Sequence, residues 1–342
     1  MAHRLTVFTR TGKPLAELNA AVHCAWALNG AGTAEFTLSV LEEKCTEANL
    51  RFGNLLLFEH HRLGAWGGFI WPPRRWQNGV VTVEALSAEA LFERRHAPRA
   101  GAWQGKPGAI FRNLIDHGNK REDMNVVEGR IQGKGDPLTV ELRAQSLAGL
   151  VDEIRESSSH EWWLEPRQDD DGFLFFRAHW RQRRGARRDY ALIEGKNLAI
   201  GPLSEEGRLV NKVRVLGEGA EMSIRPDGAA QDQRSRDLYG LTETVEFMNT
   251  TDEATLEARA AEILEREAFP RLVFNATVFG EEAFGNIGLG DDLAVQMDSA
   301  GFFSKSGVGA LIRARVMAME YSTHENSLAA VFEQVHQEKG RG

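Results

Sequence analysis

Period-two alternation dominates the first hundred positions. In AVHCAWALNGAGTAEFTLSV, Val22, Cys24, Trp26 and Leu28 fall on one side of an extended chain, and Asn29-Gly30 and Gly32 supply a turn. Ala34, Phe36, Leu38 and Val40 alternate after it, which predicts a hairpin with one buried face. NLLLFEHHRLGAWGGFIW continues with two strands around Arg62 to Gly64, and RRWQNGVVTVEAL makes a second hairpin on Asn78-Gly79. About six or seven strands in so short a stretch imply a sandwich or barrel. A short helical piece, SAEALFERR, follows with Ser87 as its expected N-cap. The Pro- and Gly-dense HAPRAGAWQGKPG then places a domain boundary near residues 97–107.

Beyond that boundary the period lengthens. Ile110, Phe111, Leu114 and Ile115 share one helical face, as do Leu147, Leu150, Val151 and Ile154 with Ser146 as N-cap. Helices are therefore expected near 108–117 and 146–157. Directly afterwards Leu174, Phe176, Ala178 and Trp180 alternate on one face, opposite Trp162 and Leu164 on a partner strand. From about residue 192 strands return: Val213 and Val215 alternate against Lys212 and Arg214, and LTETVEF reads as a half-buried strand. A helix is expected near 251–269, with a capping box of Thr250 and Glu253, an apolar face of Leu256, Ala260, Ile263 and Leu264, and Pro270 as its stop. RLVFNATVFG, DDLAVQM and the long pair GALIRARVMAMEYSTHENSLAAVFEQV complete a second β-rich part, with HQEKGRG left as a tail. The fold class is α+β, mainly β. It divides into a first β-barrel or sandwich domain over 1–98, an intervening helix-plus-hairpin domain over 101–190, and a second β-barrel domain over 191–337.

Length agrees with several cores, because 342 residues exceed the roughly 250–300 at which single cores stop growing. There is no positive segment leading a continuous apolar run at the start and no long apolar stretch elsewhere, so neither signal peptide nor membrane span is expected. Cys24 and Cys45 are too few for a disulfide framework and lack zinc or redox spacing. The net charge of −8 argues against a dedicated nucleic-acid binder. The exception is RQRRGARR, with arginines at 181, 183, 184, 187 and 188, which reads as a solvated loop rather than a phosphate clamp; a contact with a neighbouring subunit's acidic surface stays open.

HEWWLEPRQDDDGFLFF, residues 160–176, is the stretch closest to a chemical motif. As a calcium loop with Gly172 at position 6 it would begin at Arg167 and end at Ala178, neither of which supplies the carboxylate the loop needs. It is not a zincin motif, because Leu164 stands where the second histidine belongs. His160 and His179 face each other across the expected hairpin without a third ligand in view. Glu161, Glu165, Asp169, Asp170 and Asp171 are the carboxylates that a glycoside or peptidoglycan hydrolase would use. Consecutive aspartates at a turn, however, offer no buried partner to split their pKa values. His23 beside Cys24 points to the opposite face of a strand, so adjacency gives no nucleophile and base. The tryptophans at 26, 66, 71, 76, 103, 162, 163 and 180 either fill β cores or form a sugar-stacking platform. No catalytic, cofactor or metal residue is assigned.

The order of segments resembles the tail hub proteins of bacteriophages, the group that includes siphophage tail-tip hub or tail-associated proteins and the baseplate hub of contractile tails. GAGTAEFTLSVLEE followed by LRFGNLLLFEHHRLGAWGGFIWPPRRW is similar to the first hub barrel, which VTVEALSAEALFERRHAP closes. SLAGLVDEIRESSSHEWWLEPRQDDDGFLFFRAHW is similar to the helix and hairpin of the intervening domain, and LVNKVRVLGEG and IGLGDDLAVQ to strands of the second barrel. The resemblance implies a non-enzymatic virion protein of the tail tip, made in the host cytoplasm. It further implies a homotrimer whose two barrels per subunit make a six-fold-like ring through which DNA passes in transit. Implied partners are the distal tail or tail tube protein, the tape measure protein and a tip fibre or spike. Because the sequence ends at residue 342, a C-terminal wall-digesting or receptor-binding extension is not expected. The alternatives are a carbohydrate- or receptor-binding β module and a hydrolase.

Overall fold

The computed structural model describes residues 3–218, 226–248, 251–298 and 310–335. Seven strands come first: β1 (His3–Phe8), β2 (Pro14–Leu18), β3 (Ala21–Ala27), β4 (Thr33–Ser39), β5 (Leu55–His60), β6 (Gly64–Gln77) and β7 (Val80–Ser87). They pair antiparallel in the order β2-β1-β5-β6-β7-β4-β3. The β6–β7 hairpin turns on Asn78 and Gly79, both at positive φ, as a two-residue turn between twisted strands requires. The unbroken run Leu55 to Phe58 is apolar because β5 is buried on both faces: Leu56 and Phe58 enter one core, Leu55 and Leu57 a second. Ser87 is not a helix cap. It ends β7, where its hydroxyl accepts the Gly32 N–H at 2.8 Å. The helix that follows, α1 (Ala90–Glu93), has Glu89 at its N-cap position, with no side-chain cap.

The middle of the chain contributes β8 (Ala102–Gly105), α2 (Pro107–Arg121), β9 (Val126–Ile131), β10 (Leu138–Glu141), α3 (Leu147–Ser158), β11 (Glu161–Gln168) and β12 (Leu174–Arg181). Pro107 sits in the first turn of α2, where its missing N–H is not needed. Ser146 caps α3, its hydroxyl accepting the Gly149 N–H. The helices' apolar faces, Ile110, Phe111, Leu114 and Ile115 with Leu147, Leu150, Val151 and Ile154, are all buried against Trp162, Leu164, Leu174, Phe176 and Trp180 of the hairpin. Full burial of each such side chain contributes about 1.5–3 kcal/mol. Two glycines let the hairpin sit against the first strands. A Cβ on Gly12, which has φ +85, would stand 2.3 Å from the Leu174 carbonyl oxygen, and one on Gly67 would stand 2.6 Å from Pro166 Cβ.

The remaining elements are β13 (Arg187–Ile193), β14 (Leu198–Glu206), β15 (Lys212–Leu216), β16 (Asp227–Gln231), α4 (Gln233–Tyr239), β17 (Glu243–Phe247), α5 (Glu253–Glu267), β18 (Arg271–Val278), α6 (Glu281–Phe284), β19 (Asp292–Met297), β20 (Ala310–Ser322) and β21 (Ser327–Gln334). Asp252 caps α5 by accepting the Thr255 N–H. Thr250, the cap expected from the sequence, lies outside the described residues, as does the tail HQEKGRG. The α5 face Leu256, Ala260 and Ile263 packs on Val213 and Val215 to make a small third core. In β17 the alternation runs opposite to its polarity, with Thr244 and Glu246 half-buried and Val245 and Phe247 exposed.

β20 joins the two ends of the chain. Its last residues pair antiparallel with β3, from Ala318 opposite Ala27 to Ser322 opposite His23. The strands of both ends thereby form one 13-stranded sheet, and their inward residues share one core. Among the described residues the main path of this sheet runs open from β14 to β2, without closing into a barrel. The mainly-β α+β class expected from the sequence is the class observed.

Candidate functional site

The hairpin of β11 and β12 has the register that its alternation predicts, with Trp162 opposite Trp180 and Leu164 opposite Ala178. Asp169, Asp170 and Asp171 are exposed at its tip. There the Asp169 carboxylate accepts the Asp171 and Phe173 N–H groups at 3.0 and 2.8 Å, so it is spent on turning the chain. The two histidines do not face each other. His179 lies opposite Trp163 in the ladder, while His160 precedes β11 and stacks on Trp180 at 5.4 Å. Among the described residues no three His, Cys, Asp or Glu side chains converge as a metal site would require.

Glu161 and Glu165, on one strand, have different partners. Glu161 is held by Arg315 of β20 at 2.7 Å and by the Arg184 N–H at 2.6 Å. Glu165 accepts from Arg167 at 2.6 Å and from His179 Nε2–H at 3.2 Å; His179 Nδ1 in turn accepts the Arg130 N–H. Burial works against the Glu165 charge, but the hydrogen bonds from Arg167 and His179 outweigh it and hold the carboxyl below its usual range. A carboxyl kept ionised in this way suits an ion pair and not a general acid. Cys24 is buried, and burial pushes its thiol well up. His23 points to the other side of the strand, toward Glu320 at 2.5 Å.

Nor do the tryptophans line up as a platform. Trp66, Trp162 and Trp180 are buried. Trp163 is stacked on His179 at 4.8 Å and lies under the Arg184 guanidinium at 5.1 Å, and Arg94 stands 3.9 Å from the Trp71 ring. Trp76 alone among the eight is exposed, at 63%.

The basic run 181–188 is largely exposed, as a solvated loop would be, but it also forms a seam between the middle of the chain and its last strands. Arg183 pairs with Asp292, and Arg188 Nε is 2.8 Å from the buried Asp291. Asp291 also accepts the Ala186 N–H at 2.8 Å. Gly185 and Gly290 meet so closely that a Cβ on Gly185 would lie 2.2 Å from the Gly290 carbonyl carbon. Arg183 and Arg188 thus find their partners more than a hundred residues away. The one sign in the sequence was complementarity between RQRRGARR and the GLGDD that leads into β19.

A groove of about 900 Å3 opens where the three parts meet. Trp26 and Ala65 line it from the first strands, Trp163 and Glu165 from the hairpin, and Arg184 and Asp291 from the seam. The outer edge of β11 is closed beside it, since Asn29 and Glu89 side chains accept the Trp162 and Leu164 N–H groups at 3.0 and 2.9 Å. No helix among the described residues is long and apolar enough to cross a membrane.

No protein-family model and no curated protein matches the sequence. Solved structures do match. A prophage tail protein from Listeria monocytogenes is 10% identical with a TM-score of 0.62, over 98% of this chain and 95% of that one. A tail protein from Neisseria meningitidis is 13% identical with a TM-score of 0.62, over 98% and 97%. A component of the E. coli type VI secretion system, itself similar to the bacteriophage T4 tail proteins gp27 and gp5, is 11% identical with a TM-score of 0.52, over 94% of this chain and 76% of that one. At such identities the likeness rests on architecture and not on shared side chains, and the chain has the fold of phage tail proteins along nearly its whole length.

Proposed function

We propose that the chain is a structural, non-enzymatic component of a phage tail or of a related tail-like injection particle, placed as the hub at its tip. The observation that carries this reading is the tail-protein fold, shared over 98% of the chain with the Listeria and Neisseria proteins. In this reading 1–98 and 191–337 are two tube-like units, and 101–190 is the domain between them. Three copies place six such units in a ring that matches a hexameric tube to a three-fold tip. The pairing of β3 with β20 supports it, because a shared sheet and core let each subunit act as one stiff arc.

Its partners are then the distal tail or tail tube protein above, the tip fibre or spike below, and the tape measure protein and DNA in passage. The net charge of −8 suits a channel wall that DNA crosses without adhering, since like charges disfavour phosphate contacts. A hydrolytic role is disfavoured by the engagement of Glu161 and Glu165 in ion pairs and by the exposure of Asp169, Asp170 and Asp171. Light scattering of the purified chain over a concentration series tests the ring: three copies are expected. A monomer at every concentration, together with absence of the chain from purified particles, contradicts it.

A further inference from the structure

Arg184 is a cation of the junction that has no carboxylate partner among the described residues. Its guanidinium stands over Trp163 at 5.1 Å and makes no ion pair among the described residues. The nearby carboxylates are committed elsewhere: Glu161 to Arg315, Asp291 to Arg188, Glu165 to Arg167 and His179, and Glu89 to the Leu164 N–H. Burial pushes this guanidinium below the usual arginine range, with those same carboxylates offsetting the shift only in part. Arg184 and Trp163 both line the groove, whose volume of about 900 Å3 is that of a ligand site, roughly 300–1,000 Å3.

We propose that this groove binds an acidic saccharide, with Arg184 taking the sugar's carboxylate and the groove's mixed acidic and basic side chains taking its hydroxyls. A planar guanidinium already oriented by an aromatic ring meets a carboxylate through two parallel hydrogen bonds. The rest of the lining selects among anions. Glu17, Glu59 and Glu165 line the groove beside Arg4, Arg167 and Arg188. A lining of both signs gives a strand of one charge no continuous complement, yet offers donors and acceptors to hydroxyl groups. The half-buried Trp26 adds an aromatic wall, and its indole N–H is already satisfied by the Ala65 carbonyl at 3.3 Å. A polyol carrying isolated carboxylates fits this lining; a polyanion does not. The inference does not rest on the hub reading, because ring assembly and saccharide binding fail or succeed separately.

The test is calorimetric titration of the full chain with galacturonate, glucuronate-containing and sialylated oligosaccharides, each against its methyl ester. At least one acid is expected to bind, with its ester about tenfold weaker. Arg184→Gln is expected to weaken the acid at least tenfold while leaving the weak ester binding unchanged. Ala65→Trp, a bulky change at an exposed position that leaves Arg184 intact, is expected to block both, so the test survives if Arg184→Gln folds poorly. No binding of any of these acids at millimolar concentration overturns the proposal, as does acid binding that the ester matches or that both variants retain.

Discussion

Arg315 grips Glu161 through both terminal guanidinium nitrogens, Nη1 at 2.7 Å from Oε1 and Nη2 at 2.8 Å from Oε2, although 154 residues separate them. The pair ties the first residue of β11 to the middle of β20. It is thus the bolt between the helix-and-hairpin part and the sheet that joins the chain's two ends. Both side chains are largely shielded, at 17% and 11% exposure, so each depends on the other for its solvation.

Removing one partner strands the other's charge. Arg315→Met is expected to lower unfolding free energy by about 3 kcal/mol. The double change Arg315→Met with Glu161→Met is expected to recover a large part of that loss. Urea denaturation of the three proteins checks this, and equal destabilisation by the single and double changes would show that the pair is not the operative interaction.

Gly12 holds the hairpin by its backbone. Its carbonyl accepts the Leu174 N–H at 2.8 Å, and its φ of +85 disfavours any side chain. Gly12→Ala combines backbone strain with the close approach to Leu174, and is expected to cost about 1–3 kcal/mol. Hydrogen exchange at the Leu174 amide is expected to quicken while exchange in β20 and β21 stays unchanged.

The hairpins were legible in the sequence because period two survives into the structure wherever one face is buried, as in Leu174, Phe176, Ala178 and Trp180. The helices over 107–121 and 147–158 were legible for the corresponding reason at the longer period. The pairing of β3 with β20 was not, because two strands some three hundred residues apart leave no local sign of each other. The β16 strand, DGAAQ, has too little apolar character to announce itself, and β15 pairs with β17 in parallel, which no turn dictates. The groove escaped for the same reason as the seam: Trp26, Trp163 and Arg184 are brought together only by the junction of three distant segments. Within 160–176 the three aspartates sit at the turn expected for them, whereas Glu161 at its start pairs with Arg315.

Acid is expected to weaken the fold from pH 6.5 downward. His160 is buried, donates its Nδ1–H to the Ser158 carbonyl and stacks on Trp180. Burial lowers its pKa from 6.5, the Ser158 bond offsetting only part of this, and burial likewise lowers His3, His60 and His179. The unfolded chain therefore takes up protons below 6.5 that the folded chain refuses until lower pH. Stability is full above 6.5 and falls as pH drops through the folded pKa values, by at most about 1.4 kcal/mol per pH unit for each group. His160→Phe is expected to flatten this slope between pH 7.5 and 5.5, as read from urea midpoints; an unchanged slope would assign the effect to the other histidines.

The central claim is architectural, that this chain builds a ring at the end of a tail. Cryo-electron microscopy of particles assembled with the chain tests it most directly. The account predicts a three-fold ring of this fold at the tip, its two β parts alternating around a central channel continuous with the tube. Density that places the chain elsewhere in the particle, or particles that lack it altogether, would contradict the account.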